Sequence, residues 1–189
     1  VSTAQPESTW TRPTARCPHP ERWHSTDEDS TELEVTELVA AFVRALQPSL
    51  VIETGSAWGQ TSQAIGTALQ ANGHGHLITF EPDPERARYT TSRCDGLPVL
   101  VRQVPSLDPI SGIPTITEPV GFAWLDSLFE LRFTELHLLR PLLTPGAIVG
   151  MHDTAPHHPL HAQLDHKTEA TRLDLHTPRG VTFVQPNPS

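Results

Sequence analysis

The sequence predicts an α/β fold, a doubly wound, mostly parallel sheet that ends in an antiparallel hairpin. Three observations carry this expectation. Short apolar runs such as Leu50-Val51-Ile52 and Ala147-Ile148-Val149 alternate with stretches of helical periodicity, as in a parallel sheet covered on both faces. A glycine-bearing turn, Thr54 to Gly59, directly follows the first run. Two closing runs, Arg172 to His176 and Val181 to Gln185, are joined only by Thr177-Pro178-Arg179-Gly180, too short a link for a parallel crossover.

Taken in order, residues 1–30 hold Pro6, Pro13, Pro18 and Pro20, with Trp10 and Trp23 and no apolar periodicity, and read as an irregular arm. The tryptophans of such an arm cover the domain's own core, a substrate, or a second copy of the chain in a homodimer. Residues 31–189 read as one domain. Ser30 with Leu33, or Thr31 with Glu34, has capping-box spacing ahead of Leu33, Leu38, Val39, Phe42, Val43 and Leu46, a helix that Pro48 ends. Leu50 to Glu53 is a strand, and Thr61 to about Ala71 a helix stopped by Asn72-Gly73. Leu77 to Glu81 is the second strand, and Glu85 to about Cys94 the next helix, with Pro84 suited to its first turn. Pro98 to Val104 and Val120 to Leu125 are further strands. Glu130 to Leu143 is amphipathic, Pro145-Gly146 stops it, and Ala147 to Met151 is the fifth strand. With the closing pair the sheet has seven strands.

Composition narrows the function classes. The net charge of −9 argues against a general phosphate-backbone binder, so no nucleic acid is expected. Apolar runs fall short of a bilayer span and of a secretion signal, so a soluble, cytoplasmic protein without a membrane partner is expected. The two cysteines, Cys17 and Cys94, form no CxxC pair, which argues against a disulfide framework or a cysteine zinc site. The chain is rich in histidine, with 11, and Lys167 is its lone lysine.

Open parallel sheets bind ligands beyond the carboxyl ends of their strands, where strand order reverses. After the first strand the chain reads Glu53-Thr54-Gly55-Ser56-Ala57-Trp58-Gly59. Gly55 and Gly59 would let backbone pass close to a ligand. The Gly-x-x-x-Gly spacing lacks the extra glycine of a dinucleotide fingerprint, so the loop suits NAD poorly. Glu81 ends the second strand, where a carboxylate can take both hydroxyls of a ribose. A glycine turn and a strand-end acid in register point to a nucleoside.

On these residues the chain resembles the class I S-adenosylmethionine-dependent methyltransferases, which have a Rossmann-like sheet. Val51 to Gly59 is similar to their first motif, Ile78-Thr-Phe-Glu-Pro-Asp83 to their second, and the terminal hairpin to their seventh-strand feature. The resemblance covers about Thr31 to Gln185. It implies S-adenosylmethionine as cofactor, contacted by Glu53, Gly55, Ser56, Ala57, Trp58 and Gly59 around the methionine end, by Glu81 at the ribose, by Ser106 near the adenine, and by Asp126.

A second site follows from Asp126 after the fourth strand and His152-Asp153 after the fifth, which neighbouring parallel strands bring side by side. Two carboxylates and an imidazole suit a divalent cation; alternatively Asp153 caps the next helix and Asp126 binds cofactor or backbone N–H groups. The arrangement resembles the metal-dependent O-methyltransferase branch, which includes catechol and caffeoyl-coenzyme A enzymes. That implies Asp126, His152 and Asp153 as ligands of Mg2+ or Mn2+, Asp126 and His152 as catalytic residues, and a small-molecule hydroxylated acceptor. Histidine in the pair is a departure, since magnesium prefers oxygen. A second departure is Phe129, which stands where the family usually carries a Lys or His base. His152, His157, His158, His161 and His166 are alternative bases, or a solvated polar face, with His157 and His161 spaced to share one side of a helix. Trp58 and Phe129 either shape an aromatic pocket or pack in the core. The alternative reading is a catalytically inactive binding protein that keeps the methyltransferase fold.

Overall fold

The structure is a computed structural model and describes residues 13–27, 29–167 and 170–186. Trp10 and Pro6 of the arm lie outside the described residues. The elements are α1 (Leu33–Leu46), β1 (Leu50–Thr54), α2 (Gln60–Asn72), β2 (His76–Phe80), α3 (Pro84–Arg93), β3 (Val99–Arg102), β4 (Val120–Leu125), α4 (Arg132–Leu139), β5 (Leu143–His152), α5 (Pro159–Lys167), β6 (Ala170–Leu175) and β7 (Val181–Pro186). The strands form one seven-stranded sheet in the order β3-β2-β1-β4-β5-β7-β6. Strands β1 to β5 run parallel, and β7 runs antiparallel to both β5 and β6. This is the expected Rossmann-like doubly wound sheet with its terminal hairpin. Among the described residues, no helix is long and apolar enough to cross a membrane.

Strand alternation divides the core between the two faces. Val51, Phe122 and Trp124 pack with Val35, Val39, Ile65 and Leu69 of α1 and α2. Ile52, Ala123, Leu125 and Met151 pack with Leu136 and Leu139 of α4 and Leu164 of α5. Trp23 of the arm is half-buried against the first group, so it covers the domain's own core. Trp124 pairs across the ladder with Gly150. A Cβ at Gly150 would lie 2.7 Å from the indole, so this fully buried ring requires glycine opposite it.

Three expectations are corrected. The helix expected over 130–143 runs Arg132–Leu139, gives way to a 3-10 turn at Arg140–Leu142, and leaves β5 to begin at Leu143. Pro141 explains this, because it has no N–H to donate and its ring crowds the carbonyl one turn back. The capping box at α1 is not formed: Ser30 Oγ donates to Asp27 Oδ2 (2.8 Å) and Thr31 Oγ1 to Asp126 Oδ2 (2.8 Å). His157 and His161 do not share a helical face, since α5 begins at Pro159 and His157 precedes it.

Because β1 lies between β2 and β4, the chain leaves it first to one side and then to the other, and the carboxyl ends of β1 and β4 border a crevice. Gly55 sits there with φ +78°, and a Cβ would lie 2.4 Å from the Asp126 carbonyl oxygen. Gly73, φ +76°, has nothing within 4 Å. Gly55→Ala is therefore expected to cost about 3 kcal/mol, strain and overlap together, against about 1 kcal/mol for Gly73→Ala, read by urea unfolding of the two variants.

Candidate active site

A cavity of about 670 Å³ opens at the carboxyl edge, over the ends of β1, β2 and β4. Such a volume accommodates a nucleoside-sized ligand. Glu81, one residue past β2, lines it. Its carboxylate is fixed by two backbone donors, Ala57 N to Oε2 (2.9 Å) and Asp83 N to Oε1 (3.0 Å). Each oxygen keeps a further lone pair, the acceptor geometry that a vicinal diol needs. Burial raises the Glu81 pKa above the usual glutamate value against the pull of those N–H groups. Ala57 holds a left-handed backbone (φ 45°), a strain kept where the loop meets Glu81. Across the mouth, Asp29 of the arm pairs with Arg86 (2.7 Å), whose guanidinium lies 5.5 Å from the Trp58 ring centroid.

Of the residues expected at a cofactor, Gly55, Ala57, Glu81, Ser106 and Asp126 line this cavity, whereas Glu53, Ser56, Trp58 and Gly59 do not. Ser56 is buried with its hydroxyl 3.3 Å from that of Thr90. Gly59 allows close approach of α3, where a Cβ would meet Thr90 at 2.9 Å. Trp58 packs edge-on to Tyr89 outside the cavity. Phe129 does line it, edge-on to the buried His158. Burial pushes the His158 imidazole down to about 4, so it is neutral at pH 7.

Glu53 is fully buried beneath the loop. Ser62 donates to its Oε2, and its Oε1 and the Thr79 hydroxyl are left without a well-formed bond. Burial, reinforced by the charges of Asp126 and Glu81, pushes Glu53 up to about 7. A second buried acid, Glu135 of α4, takes hydroxyl donors from the end of β1 and from two loops: Thr54 (3.0 Å), Ser127 (2.8 Å) and Ser106. The Ser106 side chain thus faces Glu135 while the residue lines the cavity.

Beside the cavity, Asp126, His152 and Asp153 converge, with ligand-type atoms within 4.8 Å of one another. Three residues that sequence reasoning missed complete the cluster. Arg132 Nη2 lies 3.2 Å from Asp126 Oδ1 and 3.2 Å from Asp153 Oδ2. Arg179, from the turn between β6 and β7, grips Asp153 with Nε on Oδ1 (2.7 Å) and Nη2 on Oδ2 (3.1 Å). Glu32, ahead of α1, faces His152 Nε2 at 2.7 Å, while His152 Nδ1 faces Asp126 Oδ1 at 3.2 Å. An imidazole between two carboxylates must donate from both nitrogens. Burial alone would lower the His152 pKa, but the charges of Asp126, Asp153 and Glu32 outweigh it and raise it to about 10. Reciprocally, the His152 charge overcomes burial and draws Glu32 down to about 2. Asp153 is held far below the usual carboxylate range by His152, Arg132 and Arg179, against its own desolvation.

This set does not fit a resident divalent ion. Arg132 already bridges the two carboxylates, Arg179 holds both oxygens of Asp153, and the imidazolium has no lone pair to give. The His152 ring, expected as catalytic, is fully buried, does not line the cavity and faces a carboxylate at each nitrogen. Among the other histidines, His161 Nδ1 is bonded to the Thr154 carbonyl (2.9 Å) and His157 is exposed. The side chains of His166 and Lys167 lie outside the described residues. A cleft bordered by three strand-end acids in a chain with one lysine demands buried arginines, and that was the signal available for Arg132 and Arg179.

A family described as a methyltransferase domain matches residues 52–154. Among solved structures, the chain is similar to the O-methyltransferase TomG of Streptomyces achromogenes, involved in tomaymycin synthesis and crystallised with S-adenosylmethionine. The TM-score is 0.71 and the identity 21%, over 85% of this chain and 83% of that one. It is also similar to a putative O-methyltransferase from Klebsiella pneumoniae (TM-score 0.70, 17% identity, 89% and 86% covered). A third is the Bacillus cereus O-methyltransferase in complex with SAH (TM-score 0.67, 16% identity, 82% of each chain). No curated protein sequence gives a significant match.

Two pH dependences follow. Glu53 has a raised pKa, so its contribution is intact below the model-peptide value of 4.5 and is lost as pH rises through about 7. Glu53→Gln should leave stability unchanged at acid pH and raise it by about 3 kcal/mol at pH 8, measured by chemical unfolding. For the His152 and Glu32 pair, the imidazolium contribution is complete below 6.5 and lost through about 10, and that of Glu32 is complete above 4.5 and lost through about 2. The melting-temperature gap between wild type and His152→Gln should therefore be widest between pH 4.5 and 6.5 and narrow toward pH 10.

Proposed function

The chain belongs to the methyltransferase-domain family, and from that premise we propose that it moves a methyl group from S-adenosylmethionine to a hydroxyl oxygen of a small molecule. The observation that carries this reading is Glu81, an acceptor-only carboxylate fixed by Ala57 and Asp83 N–H groups at the wall of a cavity of about 670 Å³. The net charge of −9 supports a small acceptor rather than a nucleic acid.

Bound S-adenosylmethionine supplies an electrophilic methyl group on a sulfonium centre. Glu81 would accept from the two ribose hydroxyls, and Gly55 and Ala57 would carry the loop past the cofactor. Pro105 and Ser106 form the wall expected at the adenine. Leu128, Phe129 and Leu131 give the cavity its apolar wall, which suits the carbon skeleton of an acceptor. Phe129 carries no proton-accepting group, so the acidic side chain at that wall, Asp126, is assigned the hydroxyl proton. Transfer would form the oxygen–carbon bond at the acceptor as the carbon–sulfur bond of the cofactor breaks, with the hydroxyl proton passing to the Asp126 carboxylate. Thr31 and His152 hold the carboxylate in place.

Calorimetry with S-adenosylmethionine tests the reading. Wild type should bind, and Glu81→Ala should bind about 100-fold more weakly, the value of two hydrogen bonds to a charged group, with its melting temperature followed in parallel. Absence of binding by the wild type would sink the reading. Cofactor bound yet never consumed with a panel of hydroxylated acceptors would favour the inactive binding protein instead.

A further inference from the structure

We propose that the Arg132 guanidinium stands where related folds would hold a divalent cation between the two strand-end carboxylates, so that methyl transfer by this chain runs without a metal. The inference rests on the methyl-transfer reading above. One nitrogen, Nη2, bridges Asp126 Oδ1 and Asp153 Oδ2 at 3.2 Å each, which is the relation of a shared cation to two carboxylates. The rest of the group is tied down: Nε donates to the Ser127 carbonyl (2.8 Å) and Nη1 to that of His152. The side chain is only 3% exposed, yet the residue lines the cavity beside Phe129 and Asp126.

The remaining donor positions are closed to a metal. Both oxygens of Asp153 are gripped by Arg179, and both nitrogens of His152 face carboxylates. Three carboxylates, Glu32, Asp126 and Asp153, already meet two guanidinium groups and one imidazolium. A divalent ion would leave a buried excess of positive charge, and admitting it would mean expelling Arg132 from four hydrogen bonds. Arginine offers a permanent charge that fixes Asp126 at the cavity wall, so an acceptor does not need two adjacent hydroxyls to chelate an ion.

The test is titration of Mn2+ into the full chain, read by the loss of the free-ion electron paramagnetic resonance signal, with S-adenosylmethionine binding measured on the same sample by calorimetry. Wild type should leave the signal unchanged, with or without the cofactor, and should bind the cofactor equally in the presence of a chelator. Arg132→Gln, which frees both carboxylates and keeps the side chain polar, should take up Mn2+ at least about 10-fold more tightly than wild type. Stoichiometric Mn2+ binding by wild type, displaced by Mg2+, would overturn the proposal, as would a folded Arg132→Gln variant with no gain. Should that variant fail to fold, the wild-type titration decides alone. Loss of cofactor binding would strike the methyl-transfer reading and leave the ion measurement standing.

Discussion

Neutralisation of three buried carboxylates is the constraint on which the site depends. Parallel strands deliver Asp126 and Asp153 to one edge, and Glu32 approaches from the segment before α1. Left uncompensated, each would cost several kcal/mol to bury as an anion. The compensation comes from three separate parts of the chain: Arg132 at the start of α4, Arg179 in the last hairpin turn, and His152 at the end of β5. The cluster therefore joins segments far apart in sequence, and removing any one member would strand an opposite charge in a nearly dry place.

A second buried acid sits a few residues away. Glu135 gathers the hydroxyls of Thr54, Ser106 and Ser127, one from the end of β1 and one from each loop that follows β3 and β4. Burial raises its pKa, and the three hydroxyls and Arg132 oppose that rise. The ionic cluster sets the position of Asp126 from one side, and Glu135 sets the loop that carries Ser127 from the other. Gly55 fits between them, since only a residue without Cβ can lie against the Asp126 carbonyl. The cavity walls are thus held by charge on one flank and by shared hydroxyls on the other, with little dependence on loop stiffness.

The sheet was legible in the sequence because its signals are local: apolar runs of strand length, Pro48, Asn72-Gly73 and a four-residue link that allows only a hairpin. Glu81 and Asp126 were legible for a related reason, since strand ends point to one edge once the strands are known. What failed depends on contacts distant in sequence. Thr31 reads as a cap and instead donates to Asp126, because burying that carboxylate with a partner outweighs a cap that water can replace. Glu53 reads as a cofactor contact and is turned inward to Ser62, because side chains alternate along β1 and its neighbour Thr54 takes the face toward Glu135. Pro141 was a local signal overlooked inside a strong apolar period. Arg132 and Arg179 had no signal of position at all, only the general demand for positive charge.

The terminal hairpin illustrates how topology and chemistry become one requirement. Its turn is stapled to the exit of β5 by Thr154 N to the Gly180 carbonyl (3.1 Å) and Ala155 N to the Arg179 carbonyl (2.9 Å). A Cβ on Gly180 would lie 2.1 Å from Ala155 N, so the approach demands glycine. That contact leaves the Arg179 side chain facing Asp153 and its backbone N–H facing Glu32 (3.1 Å). Asp153 in turn holds a left-handed backbone, φ 55°, a conformation that costs an ordinary residue about 1–2 kcal/mol. It persists because two arginines and an imidazolium fix the side chain from three directions. The hairpin that closes the sheet beside β5 thus sets a second arginine on Asp153 alongside Arg132 of α4, and so it belongs to the site as much as to the sheet.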